Sequence, residues 1–186
     1  LLWRFGGWRK ALAFHFTGFG NSCEFLQNSR VNVVLDIIAE MRFRDTASFG
    51  KRQEYAVIAE LLKRGFDVYM TLVDDQGIDC VIRLKGGKRY LDIQIKARSK
   101  DARHWNLFAG MPLKPRSNYF FIFYTEMNQT FWIMPSKDVY RLGSKNVSGK
   151  NIGKTSLSLP KSEKSKKAEA FNKYKNNFEL LRHFDK

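Results

Sequence analysis

The chain has 186 residues, a formal net charge of +15, and 44% hydrophobic and 15% aromatic residues. That apolar content excludes a disordered protein, and the length suits one domain with extensions. Two cysteines without partner spacing, Cys23 and Cys80, exclude a disulfide framework and a zinc cluster and fit the reducing cytoplasm.

No apolar run approaches the ~20 residues that span a bilayer, so no membrane association is expected. The charge is uneven: 21 basic residues face 11 acidic ones between positions 41 and 160. Such a surplus favours a polyanionic partner, nucleic acid first.

Residues 1–40 mix aromatics and glycines without periodicity. They are expected to form an N-terminal extension, with the folded core running over 41–142 and starting near Met41. The spacing then predicts a helix over Phe49–Arg64, capped by Ser48 and stopped at Gly65. Tyr55, Val57, Ile58, Leu61 and Leu62 fall on its apolar arc, and Glu54 falls inside that arc. A carboxylate there either complements the helix dipole or needs a partner.

Phe66–Val73 reads as a strand, and Asp74–Gly77 as a turn. Ile78–Lys85 and Lys88–Arg98 read as a hairpin around Gly86-Gly87. On its second strand Asp92, Gln94 and Lys96 share one face, while Leu91, Ile93 and Ile95 share the other. Lys100–Phe108 is expected to be helical and Met111–Ser117 a loop. Asn118–Tyr124 and Thr130–Met134 read as strands, and Lys137–Leu142 as a short helix. Residues 143–186 form a basic loop, with a short strand near Ser156–Leu159, and a C-terminal docking helix with Phe171, Tyr174, Phe178 and Leu181 in one stripe. The result is an α/β fold with a central mixed β-sheet flanked by helices.

Several chemistries are absent from the sequence. Gly143–Thr155 lacks the spacing of a phosphate-cradling loop, His15, His104 and His183 are scattered, and there is no Gly-x-Ser-x-Gly. What remains is Glu54, Asp79, Gln94 and Lys96, with Asp92 beside them. A Mg²⁺-dependent phosphodiesterase needs hard oxygen ligands and a group near the attacking water. Asp79, Gln94 and the backbone carbonyl of Ile95 can supply oxygens, and Lys96 can serve the water. The bland alternatives are an ordinary amphipathic hairpin and a same-face Asp92–Lys96 ion pair.

Over Met41–Pro135 these residues resemble the PD-(D/E)XK nuclease superfamily: a helix bearing Glu54, then Gly77-Ile78-Asp79, then Gln94-Ile95-Lys96. The pattern is most similar to its Holliday-junction-resolvase-like and restriction-endonuclease-like branches. The resemblance implies a restriction-endonuclease-like core in which Asp79 and Gln94 bind Mg²⁺ or Mn²⁺, Glu54 completes the site and Lys96 is catalytic. It further implies a metal-dependent endonuclease acting on DNA, with a homodimer as its assembly; an RNA-directed nuclease is a third reading that the residues do not separate from it.

Glutamine at position 94, where Asp or Glu is commoner, contributes no formal charge. The rival reading is therefore a non-catalytic nucleic-acid-binding protein with a weakened metal site. Arg98, Lys100, Arg103, Lys114 and Arg116 are the expected phosphate contacts. His104 and Trp105 are candidates for base stacking, with Trp105 equally suited to the core.

Overall fold

The computed structural model describes residues 45, 47–73, 76–111 and 114–184, almost all of them in a unit spanning Thr46–Lys186. The expected extension over 1–40, the boundary at Met41 and Asp74-Asp75 of the expected turn lie outside the described residues. None of the described helices is long and apolar enough to cross a membrane.

Helix α1 covers residues 47–63 and buries Val57, Ile58 and Leu61. Ser48 lies within this helix, so it is not the cap the sequence suggested. Tyr55 and Leu62, at the margins of the predicted arc, are exposed. The stop is as expected. Gly65 adopts φ +77°, its N–H donates to Leu62 O, and the Phe66 N–H donates back to Leu61 O. That left-handed residue lets two orphan carbonyls be satisfied as the chain turns away.

A five-stranded sheet follows in the order β1-β2-β3-β5-β6. Its strands are β1 (Asp67–Met70), β2 (Cys80–Arg83), β3 (Tyr90–Arg98), β5 (Tyr119–Thr125) and β6 (Thr130–Pro135). Neighbours pair antiparallel except β3 and β5, which run parallel with Gln94 opposite Phe121 and Lys96 opposite Phe123. The sheet is therefore mixed. The Gly86-Gly87 turn closes the β2–β3 hairpin with both residues at positive φ, and the Leu84 N–H donates to Arg89 O across it.

Period-two alternation separates two cores. Leu91, Ile93 and Ile95 of β3 join Phe120 and Ile122 of β5 and the apolar face of α1. Phe121 and Phe123 point the other way and pack with Phe108, Leu157, Phe171 and Tyr174. Each fully buried side chain of this kind contributes about 1.5–3 kcal/mol through removal from water.

The crossover between β3 and β5 corrects one expectation. Lys100–Phe108 is not helical: it forms turns and then strand β4 (Leu107–Met111). β4 joins β8 (Thr155–Ser158) and β7 (Ser144–Lys145) in a second, three-stranded sheet over the Phe121/Phe123 face. The reason is non-local. Asn106 donates from its side chain to Leu159 O and accepts at its carbonyl from the Leu159 N–H, each at 2.8 Å. Helix α2 (Ser136–Leu142) lies between β6 and β7.

The C-terminal helix is likewise two helices, α3 (Lys166–Asn172) and α4 (Glu179–Arg182). Between them the chain meets the edge of β6: the Ile133 N–H donates to Tyr174 O, and the Asn176 N–H donates to Phe131 O. Asn176 takes φ +51° there. All four residues of the predicted stripe are buried, but Phe171 and Tyr174 serve one core while Phe178 and Leu181 serve the other.

Candidate active site

Asp79 stands one residue before β2, where the hairpin strands part. Its N–H donates to Ile93 O at 2.9 Å, which continues the ladder. The next rung is made by its side chain, with Oδ2 accepting from the Ile95 N–H at 2.6 Å. Cys80 pairs with Ile93, so Asp79 falls level with Gln94 on the adjoining strand. Both are withdrawn from solvent, at 9% and 8% exposure.

Gln94 Oε1 is buried and accepts no hydrogen bond. An unmet buried acceptor costs about 1–3 kcal/mol, so its place beside a carboxylate calls for a positive or hydrogen-bearing partner.

Gly77 closes over this amide. It adopts φ +69°, and a Cβ there would lie 2.7 Å from Gln94 Nε2. The loop is pinned from behind: the Tyr119 hydroxyl donates to Gly77 O. Arg116 donates to Gln76 O at 3.0 Å and lies 4.0 Å over the Tyr119 ring. This left-handed backbone favours glycine, and any side chain here would have to displace the Gln94 amide.

Glu54 reaches the region from α1, half-buried and ion-paired with Lys51 one turn earlier. The hydrogen bond to Glu54 raises the Lys51 ammonium above its ordinary pKa against a smaller opposing cost of burial, and the Asp79 carboxylate adds to the rise. Cys80 feels the same two carboxylates. Burial first, then Asp79 and Glu54, push its thiol up to about 12. Glu54 and Asp79 thus bear on shared neighbours from different elements.

The neutral thiol is favoured at every ordinary pH. Its contribution to stability is complete below the unfolded thiol's pKa near 9 and is lost as pH rises through about 12. In a Cys23→Ser background, Cys80 is expected to resist alkylation by iodoacetamide at pH 8 until the protein unfolds. Rapid modification of the native protein, followed by mass spectrometry, would contradict this.

Lys96 lies two residues beyond Gln94 on β3 and is half-buried. Asp92, two residues before Gln94, accepts from Asn118 Nδ2 at 3.3 Å and is thereby tied to the start of β5. Among the described residues, no three His, Cys, Asp or Glu side chains gather as a metal-holding group. A cation here would depend on Asp79, the Gln94 amide oxygen, the Ile95 carbonyl and Glu54. The orphaned Oε1 beside Asp79 fits a hard cation, which prefers oxygen ligands.

The five basic residues expected on phosphates divide. Lys100, Arg103 and Lys114 are exposed. Arg98 donates from Nε to Leu107 O at 2.8 Å and lies against the Phe108 ring, tying β3 to β4. Arg116 braces the Gly77 loop as described. His104 is exposed and Trp105 half-buried. Sequence reasoning missed Tyr119 and Lys51. Lys51 had a signal in its i,i+3 spacing to Glu54; Tyr119 had none, since its hydroxyl meets a carbonyl 42 positions away.

No family model and no curated protein matches this sequence. Among solved structures, the chain is similar to a bacterial homing endonuclease, I-Ssp6803I. The identity is 22%, the TM-score is 0.50, and the match covers 71% of this chain and 89% of the other. The likeness is one of fold, a mixed sheet flanked by helices.

Proposed function

We propose that this chain is a metal-dependent endonuclease that hydrolyses DNA phosphodiester bonds, in the manner of the PD-(D/E)XK superfamily. The observation that carries the proposal is Asp79 standing level with Gln94 where the β2–β3 strands part, its Oδ2 on the Ile95 N–H and the buried Gln94 amide oxygen left unmet. The likeness in fold to a homing endonuclease supports it. So does the net charge of +15.

Asp79, Gln94 Oε1 and the Ile95 carbonyl would hold Mg²⁺ or Mn²⁺, with Glu54 completing the set. When bound, such an ion neutralises phosphate charge and lowers the pKa of water. Lys96, on the Gln94 face of β3, orients the attacking water and offsets the negative charge that grows on the phosphoryl oxygens. Asp79 holds the Ile95 amide as well, which keeps its carboxylate aimed between the two strands. Exposed Lys100, Arg103 and Lys114 contact phosphates without reading sequence.

Wild-type protein with Mg²⁺ or Mn²⁺ is expected to cleave at least one of duplex, branched or single-stranded DNA. EDTA or Asp79→Ala abolishes the cleavage. RNA and DNA are compared in the same assay. The second reading, a non-catalytic nucleic-acid-binding protein with a weakened metal site, draws on the neutral Gln94. It gains if binding is unchanged by chelator and by Asp79→Ala while no substrate is cut.

A further inference from the structure

The β7–β8 hairpin takes no part in the hydrolysis proposed above. From residue 144 to residue 158 the hairpin carries Lys145, Lys150 and Lys154 and no acidic residue; Arg141, just before it, is ion-paired with Asp138. Loop 146–154, which joins the two strands, is tightly built. The Asn146 N–H donates to Lys154 O at 2.9 Å and the Gly153 N–H to Asn146 O at 2.8 Å. The Asn146 side chain adds bonds to Lys154 O and to Ser156 Oγ, both at 2.9 Å. Gly149 and Gly153 take φ +75° and +76°, which allows the tight reversals.

Held in this shape, the loop presents Val147 at 84% and Ile152 at 64% exposure. Folding gains little from either side chain there. Single exposed aliphatics are ordinary. Two on one braced, purely basic loop make a surface that pairs an apolar wedge with cations.

The foot of the loop adjoins residues that brace the candidate site. Thr155, the residue at which it rejoins β8, lines a small recess with Lys114, Arg116 and Tyr119. Tyr119 in turn holds Gly77.

We infer that loop 146–154 is a groove-binding element for duplex DNA. Lys145, Lys150 and Lys154 meet phosphates on either side, and Val147 and Ile152 press against the bases between them. A two-stranded β-ribbon has the width to enter a DNA groove, and apolar side chains serve as wedges between base steps. Charge complementarity selects the occupant: Lys145, Lys150 and Lys154, with no acidic residue among them, suit the phosphate backbone. The inference rests on DNA being the partner proposed above, but not on the chemistry at Lys96.

The test is equilibrium binding of the full chain to duplex DNA in EDTA across a salt series. Lys150→Ala/Lys154→Ala is expected to reduce the slope of log affinity against log salt by about two, close to one per phosphate contact. Val147→Ser/Ile152→Ser is expected to weaken binding about tenfold with the slope unchanged, and to reduce DNA bending in a permuted-site gel assay. Both variants alter exposed residues, and an unchanged melting temperature verifies the fold. Wild type that binds duplex DNA while both variants match it overturns the hairpin inference alone. Binding to anionic vesicles but not to DNA overturns it together with the nuclease proposal. Wild type that binds through this loop but cuts nothing supports the inference and removes the enzymatic reading.

Discussion

Lys96→Ala is expected to lower Mg²⁺-dependent DNA cleavage by at least about 10²–10³-fold, the scale on which one preorganised electrostatic group contributes to a transition state. The residue follows Gln94 by two positions on β3, so strand periodicity puts it on the face that Gln94 occupies. Its ammonium would act on charge that develops only during reaction. The loss should therefore appear in kcat, with DNA affinity in EDTA nearly unchanged.

Lys96 is half-buried, and the stem of a lysine in such a setting packs as an apolar chain. Lys96→Met provides the control because it keeps much of that stem. If alanine and methionine lose activity alike while methionine retains the wild-type melting temperature, the role is electrostatic. Lys96→Arg keeps the charge but not its point geometry and should restore only part of the rate. Cleavage that survives both the alanine and the methionine substitution would sink the assignment of Lys96.

Gly77→Ala is expected to damage stability and activity together. A left-handed backbone costs alanine about 1–2 kcal/mol. Its Cβ would also lie 2.7 Å from Gln94 Nε2, and overpacking of this kind adds about 1–3 kcal/mol. Gly65→Ala separates the two causes. Gly65 has φ +77° but no atom within 4 Å of the added Cβ, so only the backbone cost applies.

Denaturant unfolding should show Gly77→Ala to be the more damaging change by that overpacking margin. Only Gly77→Ala should also slow cleavage, because it must displace the Gln94 amide or the loop that Tyr119 and Arg116 pin. Equal losses of stability in the two variants would show that the contact with Gln94 carries no weight.

Much of the hairpin was legible beforehand because its determinants are local. Gly86-Gly87 supplied the turn, and the alternation from Leu91 to Lys96 predicted which side chains share a face. Asp79 and Gln94 could be proposed as neighbours from strand length alone. That the Asp79 carboxylate would take the Ile95 N–H, and that the Gln94 oxygen would be buried without a donor, could not. Those depend on where the strands part and on what Gly77 and Tyr119 place above them. The same limit explains Arg98 and Arg116, which looked like free cations in sequence but are held by Leu107 O and Gln76 O.

By itself the sequence determined the stop of α1 at Gly65, the β2–β3 hairpin, the buried aromatic strand Tyr119–Thr125 and the basic character of the chain. Backbone dihedral preference, period-two alternation and net charge all act within a few residues or need no geometry. The tertiary structure alone decided that residues 107–111 pair as a strand rather than continue a helix. It also decided that the tail breaks at Asn176 to bond β6, and that one aromatic stripe serves two cores. In each case partners tens of residues away satisfy backbone groups that a local helix would otherwise have satisfied, and burial on opposite faces of one sheet outweighs helical continuity.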